Sequence, residues 1–231
     1  MMNFNGTDTA VVFIDPQNEV LSEKGAAWSL VGDSVRENGT IENMERLFEA
    51  AKQNAFEVFI SPHYFGADWL ERFKPYIEVV SSQRVWGPQT NDLTLQLRKR
   101  RIGKVILGGM LANMCVESHL RDHIEQGFEV AVAQDATAAP RHPEWGYGYT
   151  AALVNFRFLA HAVLSTDEMV KAMNAAPRLA IASESAPCRC RPMTGGRRAS
   201  VRTRRPGRSP ARSAHSRSRS PERAGLRTRQ R

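Results

Sequence analysis

One stretch constrains the fold more than any other: Lys104 to Gln126, KVILGGMLANMCVESHLRDHIEQ. Val105-Ile106-Leu107 is a short apolar run followed at once by Gly108 and Gly109, which reads as a buried strand entering a tight turn. From Cys115 onward, Val116, Leu120 and Ile124 recur at helical spacing, so the cysteine falls in the first turn of an amphipathic helix. Strand, glycine turn, polar side chain and helix in that order expose the side chain at the carboxyl edge of a parallel sheet. A thiol in such a place meets unpaired amides and the positive end of the helix dipole, which favour the thiolate and predict a lowered pKa. The same amides can stabilise an oxyanion formed when the thiolate attacks a carbonyl. Elsewhere in a chain, a lone cysteine is usually a small buried hydrophobe.

The remaining periodicities agree with a parallel sheet. Thr9 to Ile14 (TAVVFI) is apolar on both faces, as a central parallel strand is, and ends at Asp15-Pro16-Gln17-Asn18. Ile41, Met44, Phe48 and Ala51 mark one face of a helix through about Asn54. Glu57 to Ser61 (EVFIS) is a second strand ending in Pro62-His63-Tyr64. Trp69, Leu70 and Phe73 suggest a short helix, and Ile77 to Val80 a short strand. Gln83 to Pro88 is a loop whose Trp86 reads as buried, and Asn91-Asp92 starts a helix carrying Leu93, Leu95 and Leu97. After Gly127, Phe128 to Ala133 reads as a strand with Asp135-Ala136-Thr137-Ala138 as its exit turn. Tyr147 to Leu159 is helical, Ala162 to Leu164 a last strand, and Thr166-Asp167-Glu168 starts a final helix through Met173. Strands alternating with helices predict an α/β fold: a three-layer α/β/α, Rossmann-like sandwich with a central, mostly parallel sheet. No G-x-G-x-x-G follows a strand, so a dinucleotide cofactor is not expected.

Periodicity stops near Ala176, which predicts a domain over 1–176 and a tail over 177–231. Cys188 to Arg231 holds 15 arginines, no lysine and one acid, Glu222, so it carries +14 while Met1 to Pro187 carries −6. The basic balance of the whole chain therefore says nothing about its folded part. A segment rich in Arg, Ser and Pro and poor in apolar residues cannot bury a core and is expected to be disordered. Of the three cysteines only Cys115 lies in the domain, which suits a reducing cytoplasm rather than a disulfide framework. Cys188-Arg189-Cys190 has too few ligands for zinc. MMNFNGTDTA lacks a basic region followed by an apolar core, so a secretory signal is not expected, and no apolar run approaches the roughly 20 residues of a transmembrane helix, so no membrane partner is expected.

Asp15-Pro16-Gln17-Asn18 and Gly109-Met110-Leu111-Ala112-Asn113-Met114-Cys115-Val116-Glu117, with Gly127 to Val130 and Asp135 to Ala138, resemble the isochorismatase-like cysteine hydrolases over roughly Thr9 to Met173. The resemblance implies an Asp-Lys-Cys triad, with Cys115 as nucleophile and Asp15 as general base. It also implies a non-proline cis peptide at Met110-Leu111, and an oxyanion hole of the Leu111 and Cys115 amides. This chain has Arg84 where the resemblance leads one to expect the lysine, and arginine keeps the charge but cannot give up a proton. The segment between Tyr64 and Trp69 is shorter than in such relatives, and the Asp-x-His metal triplet of the related nicotinamidases is missing near His63, so no metal is expected. His63, Tyr64, Trp86, Asn113 and His119 are candidates for substrate binding.

These features imply a cysteine-dependent amidohydrolase acting on a small C–N substrate, an amide or ureido compound, in a homo-oligomer. Two other readings stand beside it. One is a family member impaired by Arg84 and the short loop. The other is non-specific nucleic-acid binding by the tail, whose Ser216-Arg217-Ser218-Arg219-Ser220 run suits phosphates but which has no aromatic residue to stack on bases. An arginine-rich, lysine-free tail is also what a shifted frame of GC-rich DNA would encode.

Overall fold

The computed structural model describes residues 2–63 and 78–177. Its centre is a sheet of six parallel-paired strands: β1 (Thr9–Ile14), β2 (Glu57–Ser61), β3 (Glu78–Val79), β4 (Lys104–Met110), β5 (Glu129–Ala138) and, after the short antiparallel pair β6 (Arg141–His142) and β7 (Gly146–Tyr147), β8 (Ala162–Leu164). The spatial order is β3-β2-β1-β4-β5-β8. The chain therefore runs outward in one direction from β1 and in the other from β4. The carboxyl ends of β1 and β4 flank the switch point, where sheets of this kind form a crevice.

Side-chain alternation sorts the core into layers. Val12 and Ile14 of β1 and Val105 and Leu107 of β4 face Leu93 and Leu97 of α4 (Leu93–Lys99), Leu120 of α5 (Glu117–Glu125) and Phe156 of α6 (Gly148–Leu159). Val11, Phe13, Ile106 and Ala131 face Met44 and Leu47 of α3 (Thr40–Gln53) and Met169 and Met173 of α7 (Thr166–Asn174). Both faces are covered, which is why β1 and β4 are apolar at nearly every position. The fold is thus the three-layer α/β/α sandwich, and among the described residues no helix is long and apolar enough to cross a membrane.

Several local expectations change. The region 18–40, for which no element is named above, forms α1 (Asn18–Leu21) and α2 (Trp28–Asn38), whose Val20, Val31 and Val35 cover Met110 and Ala138. Asp135 to Ala138 is not an exit turn but the continuation of β5. After a register shift, Thr137 and Ala138 pair with Gly109 and Met110. The extension is held from outside the sheet: Asn38 and Thr40 donate to the Thr137 carbonyl and Asn43 to that of Asp135. Helix α7 is capped by Ser165, whose hydroxyl accepts from the Glu168 amide while the Glu168 carboxylate accepts from the Ser165 amide. The expected helix at Trp69 to Phe73, Tyr64 and the short segment after it, and the tail beyond Pro177 lie outside the described residues.

Gly109 makes the site geometry possible. It adopts φ +111, and a Cβ there would lie 2.1 Å from the Ile14 carbonyl oxygen and 2.5 Å from the Ile14 nitrogen. Those neighbours are the β1 backbone that carries Asp15, and they cannot yield as a flexible side chain could. Gly109→Ala is expected to lower the unfolding free energy by about 3–5 kcal/mol. A urea titration showing a loss below about 1 kcal/mol would contradict this close approach.

Candidate active site

Asp15 follows β1 with φ +48, a left-handed conformation uncommon for a residue other than glycine. Its amide donates to the Ser61 carbonyl, so β2 fixes the turn in which the carboxylate projects. Gln17, missed in the sequence because a glutamine in a turn carries no pattern, is buried, and its Oε1 accepts from the His63 amide at 2.6 Å. His63 forms an isolated parallel bridge with Gln83, and the Gln83 amide donates to the Pro62 carbonyl. Gln83 is thereby drawn into line with the ends of β1 and β2.

The consequence is a correction. Gln83, not Arg84, meets Asp15: Gln83 Nε2 donates to Asp15 Oδ1 at 2.8 Å and Oδ2 at 2.9 Å. Arg84 is exposed, and its backbone amide donates to Thr90 Oγ1. Because alternate residues of an extended segment face opposite ways, a one-residue difference in alignment moves a side chain from the site to solvent.

Cys115 lies in a single π-helical turn, Ala112–Val116, which runs directly into α5. The Val116 amide reaches back to the Leu111 carbonyl, and this wider turn places the cysteine at the start of the helical run. The Met110-Leu111 peptide is cis, as the resemblance implied. The thiol is hydrogen-bonded to Asp15. It also donates to the Val85 carbonyl oxygen at 3.7 Å, a weak bond because a thiol is a weak donor. The Leu111 backbone and the Gln83 side chain contribute further hydrogen bonds to the sulfur.

The electrostatics reverse the expectation of an acidic thiol. Burial, the negative charge of Asp15 and the hydrogen bond to it push the Cys115 thiol up to about 12, against smaller lowering contributions from Leu111 and Gln83. Burial pushes Asp15 itself up to about 7, although hydrogen bonds from Cys115, Gln83 and His63 oppose it. The helix start does not prevail because the thiol is only 6 % exposed and Gln83 is neutral, so among the described residues nothing beside it offsets a second negative charge. The resting pair is a thiol beside a carboxyl group that titrates near neutrality.

The expected binding residues separate. Trp86 is not buried but 56 % exposed, and with Val85 and Met114 it forms exposed apolar surface on segments that touch or flank the thiol. Asn113 is half-buried beside Gly148, and its Oδ1 is buried without a hydrogen-bond partner. His63 is half-buried at the end of β2. His119 is fully buried behind the cysteine: Nδ1 donates to the Cys115 carbonyl at 2.7 Å and Nε2 accepts from Ser61 at 2.9 Å. Burial holds its pKa down to about 3, so it is a neutral brace of the π turn rather than a pocket residue. Among the described residues no group of three or more His, Cys, Asp or Glu could hold a metal ion.

Comparison with known proteins identifies the family to which the fold belongs. The family model described as Isochorismatase domain matches residues 9–168. The chain is 28 % identical over 165 residues to the uncharacterized isochorismatase family protein YecD of Escherichia coli O157:H7, covering 60 % of this chain and 84 % of that protein. It is 34 % identical over 107 residues to the ureidoacrylate amidohydrolase RutB of Stutzerimonas stutzeri (strain A1501), covering 46 % of this chain and 41 % of that one. The crystal structure of a cysteine hydrolase from Pseudomonas syringae pv. phaseolicola 1448A superposes with a TM-score of 0.65 at 19 % identity, covering 77 % of this chain and 97 % of the other. With its α/β/α sandwich and a family match that spans β1 through the start of α7, the chain belongs to the isochorismatase family.

Proposed function

We propose that this isochorismatase-family hydrolase cleaves the C–N bond of a small amide or ureido-type compound, with Cys115 as nucleophile and Asp15 as base. The observation that carries the reading is the hydrogen-bonded Cys115–Asp15 pair at the switch point of the sheet, beside the Leu111 backbone. The local similarity to a ureidoacrylate amidohydrolase supports the ureido class.

With a thiol near 12, a standing thiolate is negligible at neutral pH, so deprotonation accompanies attack. The thiol proton passes to Asp15 as sulfur bonds to the carbonyl carbon, and the oxyanion is met by the Leu111 and Cys115 amides. Collapse breaks the C–N bond, and the Asp15 carboxylic acid gives its proton to the departing nitrogen. Water, deprotonated by the Asp15 carboxylate, then hydrolyses the thioester and frees Cys115. A carboxyl group near 7 has both forms available for these steps. The exposed Trp86, Val85 and Met114 supply apolar contact for the part of the substrate outside the reacting group.

A second reading, a weakened enzyme, is favoured by one observation: neutral Gln83 stands where the resemblance implies a cation. Measuring kcat/KM across a panel of small amides and ureido acids tests the first reading. Cys115→Ser is expected to lower it by about 10³-fold or more, while Arg84→Ala stays within about twofold. Full activity in Cys115→Ser would overturn the proposal, and no hydrolysis by the wild type of any panel member would favour the second reading.

A further inference from the structure

The side-chain amide of Gln83 is fixed in one orientation. Its Nε2 faces both oxygens of Asp15 at 2.8 and 2.9 Å, and turning the amide over would put oxygen against carboxylate oxygen. The residue is 0 % exposed. Its Oε1 is buried and, among the described residues, has no hydrogen-bond partner. In an amide the oxygen lies about 2.2 Å from the nitrogen, so this acceptor sits within about 5 Å of the Asp15 carboxylate. Leaving such a group unsatisfied costs about 1–3 kcal/mol, and the cost is recovered when a donor arrives. The sulfur of Cys115 offers no relief, because its proton is taken up by Asp15 and the Val85 carbonyl and it interacts with Gln83 as an acceptor.

We propose that Gln83 Oε1 is a specificity element that accepts an N–H from the bound substrate, so that the site selects carbonyl compounds whose carbonyl carbon bears an N–H donor, such as primary amides and ureido groups, over ketones and esters of the same shape. The inference deepens the amide and ureido reading of the same site and rests on it for its biological meaning. The selectivity itself does not require turnover. A hydroxyl or ester oxygen of the substrate would face Oε1 lone pair to lone pair or with a poorer donor, whereas an NH₂ group fills the same volume and donates. Sites that hydrogen-bond a substrate N–H discriminate strongly against analogues lacking it, because the buried partner is then left unpaired.

Acrylamide and methyl vinyl ketone differ by NH₂ against CH₃ and are nearly the same size. Both are captured by a thiol in a simple addition: sulfur bonds to the terminal carbon, and the thiol proton ends on the carbon next to the carbonyl, with nothing leaving. The rates of adduct formation at Cys115, followed by peptide mass mapping of the full chain, are to be normalised to the rates with glutathione. The normalised preference for acrylamide over methyl vinyl ketone is expected to be about 10-fold or more in the wild type, matching one hydrogen bond to a buried acceptor. In Gln83→Met, which keeps length without an acceptor, the preference should fall to about one. A wild-type ratio of about one, or a preference that survives Gln83→Met in a chain that still melts cooperatively, would overturn the inference. Loss of amide hydrolysis in the panel described above with the probe preference intact would instead overturn only the proposed reaction.

Discussion

Asp15→Asn is expected to lower kcat/KM by about 10³-fold while making the domain more stable at alkaline pH. The first effect follows from removing the only carboxylate hydrogen-bonded to the thiol among the described residues; a positioned general base contributes about 10²–10⁴-fold. The second follows from linkage. In the folded chain Asp15 titrates at about 7 instead of the ordinary 3.8, so between those values the folded state holds a proton the unfolded state has lost. Folding stability contributed by this group is complete below about 3.8 and falls as pH rises toward 7, by up to about 4 kcal/mol for a shift of this size. Asparagine does not titrate and escapes that loss. Buried His119 and His123 have the opposite slope: their pKa values are held down to about 3 and 4, so their burial destabilises the fold as pH falls below about 6.5. The informative quantity is therefore the difference in unfolding free energy between variant and wild type at each pH. It should move in favour of Asp15→Asn from pH 4 to pH 8.5. A pH-independent difference would show that Asp15 titrates normally.

Gln83→Lys is expected to bring the Cys115 thiol down by several units from about 12. An ammonium in place of an amide nitrogen 2.8 Å from the carboxylate would pair with Asp15 and offset the charge of a thiolate, the larger causes of the present elevation apart from burial itself. Rate is less responsive than ionisation. A three-unit fall raises the thiolate fraction about 10³-fold at neutral pH but makes each thiolate less nucleophilic, leaving a net gain of roughly 30- to 60-fold. Reaction of Cys115 with methyl methanethiosulfonate against pH, which forms a methyl mixed disulfide and releases methanesulfinate, measures both numbers, since this reagent makes no use of an N–H. Amide hydrolysis should gain less than this thiolation, because lysine removes the Oε1 acceptor along with the neutral amide. An unchanged pH profile would show that Gln83 does not govern the thiol.

The fold was legible because β1, β2 and β4 are continuous apolar runs with glycine or Asx-Pro punctuation, and their order alone implies a parallel sheet. Asp15 and Cys115 were legible for a related reason: Asp15 is the first polar group after a strand, and Cys115 opens the apolar helical periodicity that follows a glycine turn. The cis bond at Met110-Leu111 came from the resemblance, not from any local pattern. Gln83 was hidden because the segment around it has no periodicity, and its inward direction is set by the bridge to His63 and by the Pro62 carbonyl, contacts distant in sequence. Helix α2 was hidden because its buried positions include Gly32 and Ser34, which carry no apolar signal. The thiol's direction of shift was misjudged because a dipole argument sees only the helix, whereas the pKa depends on burial and on the charge of the residue opposite.

The central claim is that Cys115 becomes acylated through its hydrogen-bonded partnership with Asp15. Rapid acid quench during turnover of the best amide in the panel, followed by mass mapping of the peptide containing Cys115, tests it most directly. The wild-type peptide is expected to gain the mass of the substrate's acyl group, and in Asp15→Asn that mass is expected to appear more slowly. Sustained hydrolysis by Cys115→Ala, with no acyl group on any peptide of the wild type, would contradict it.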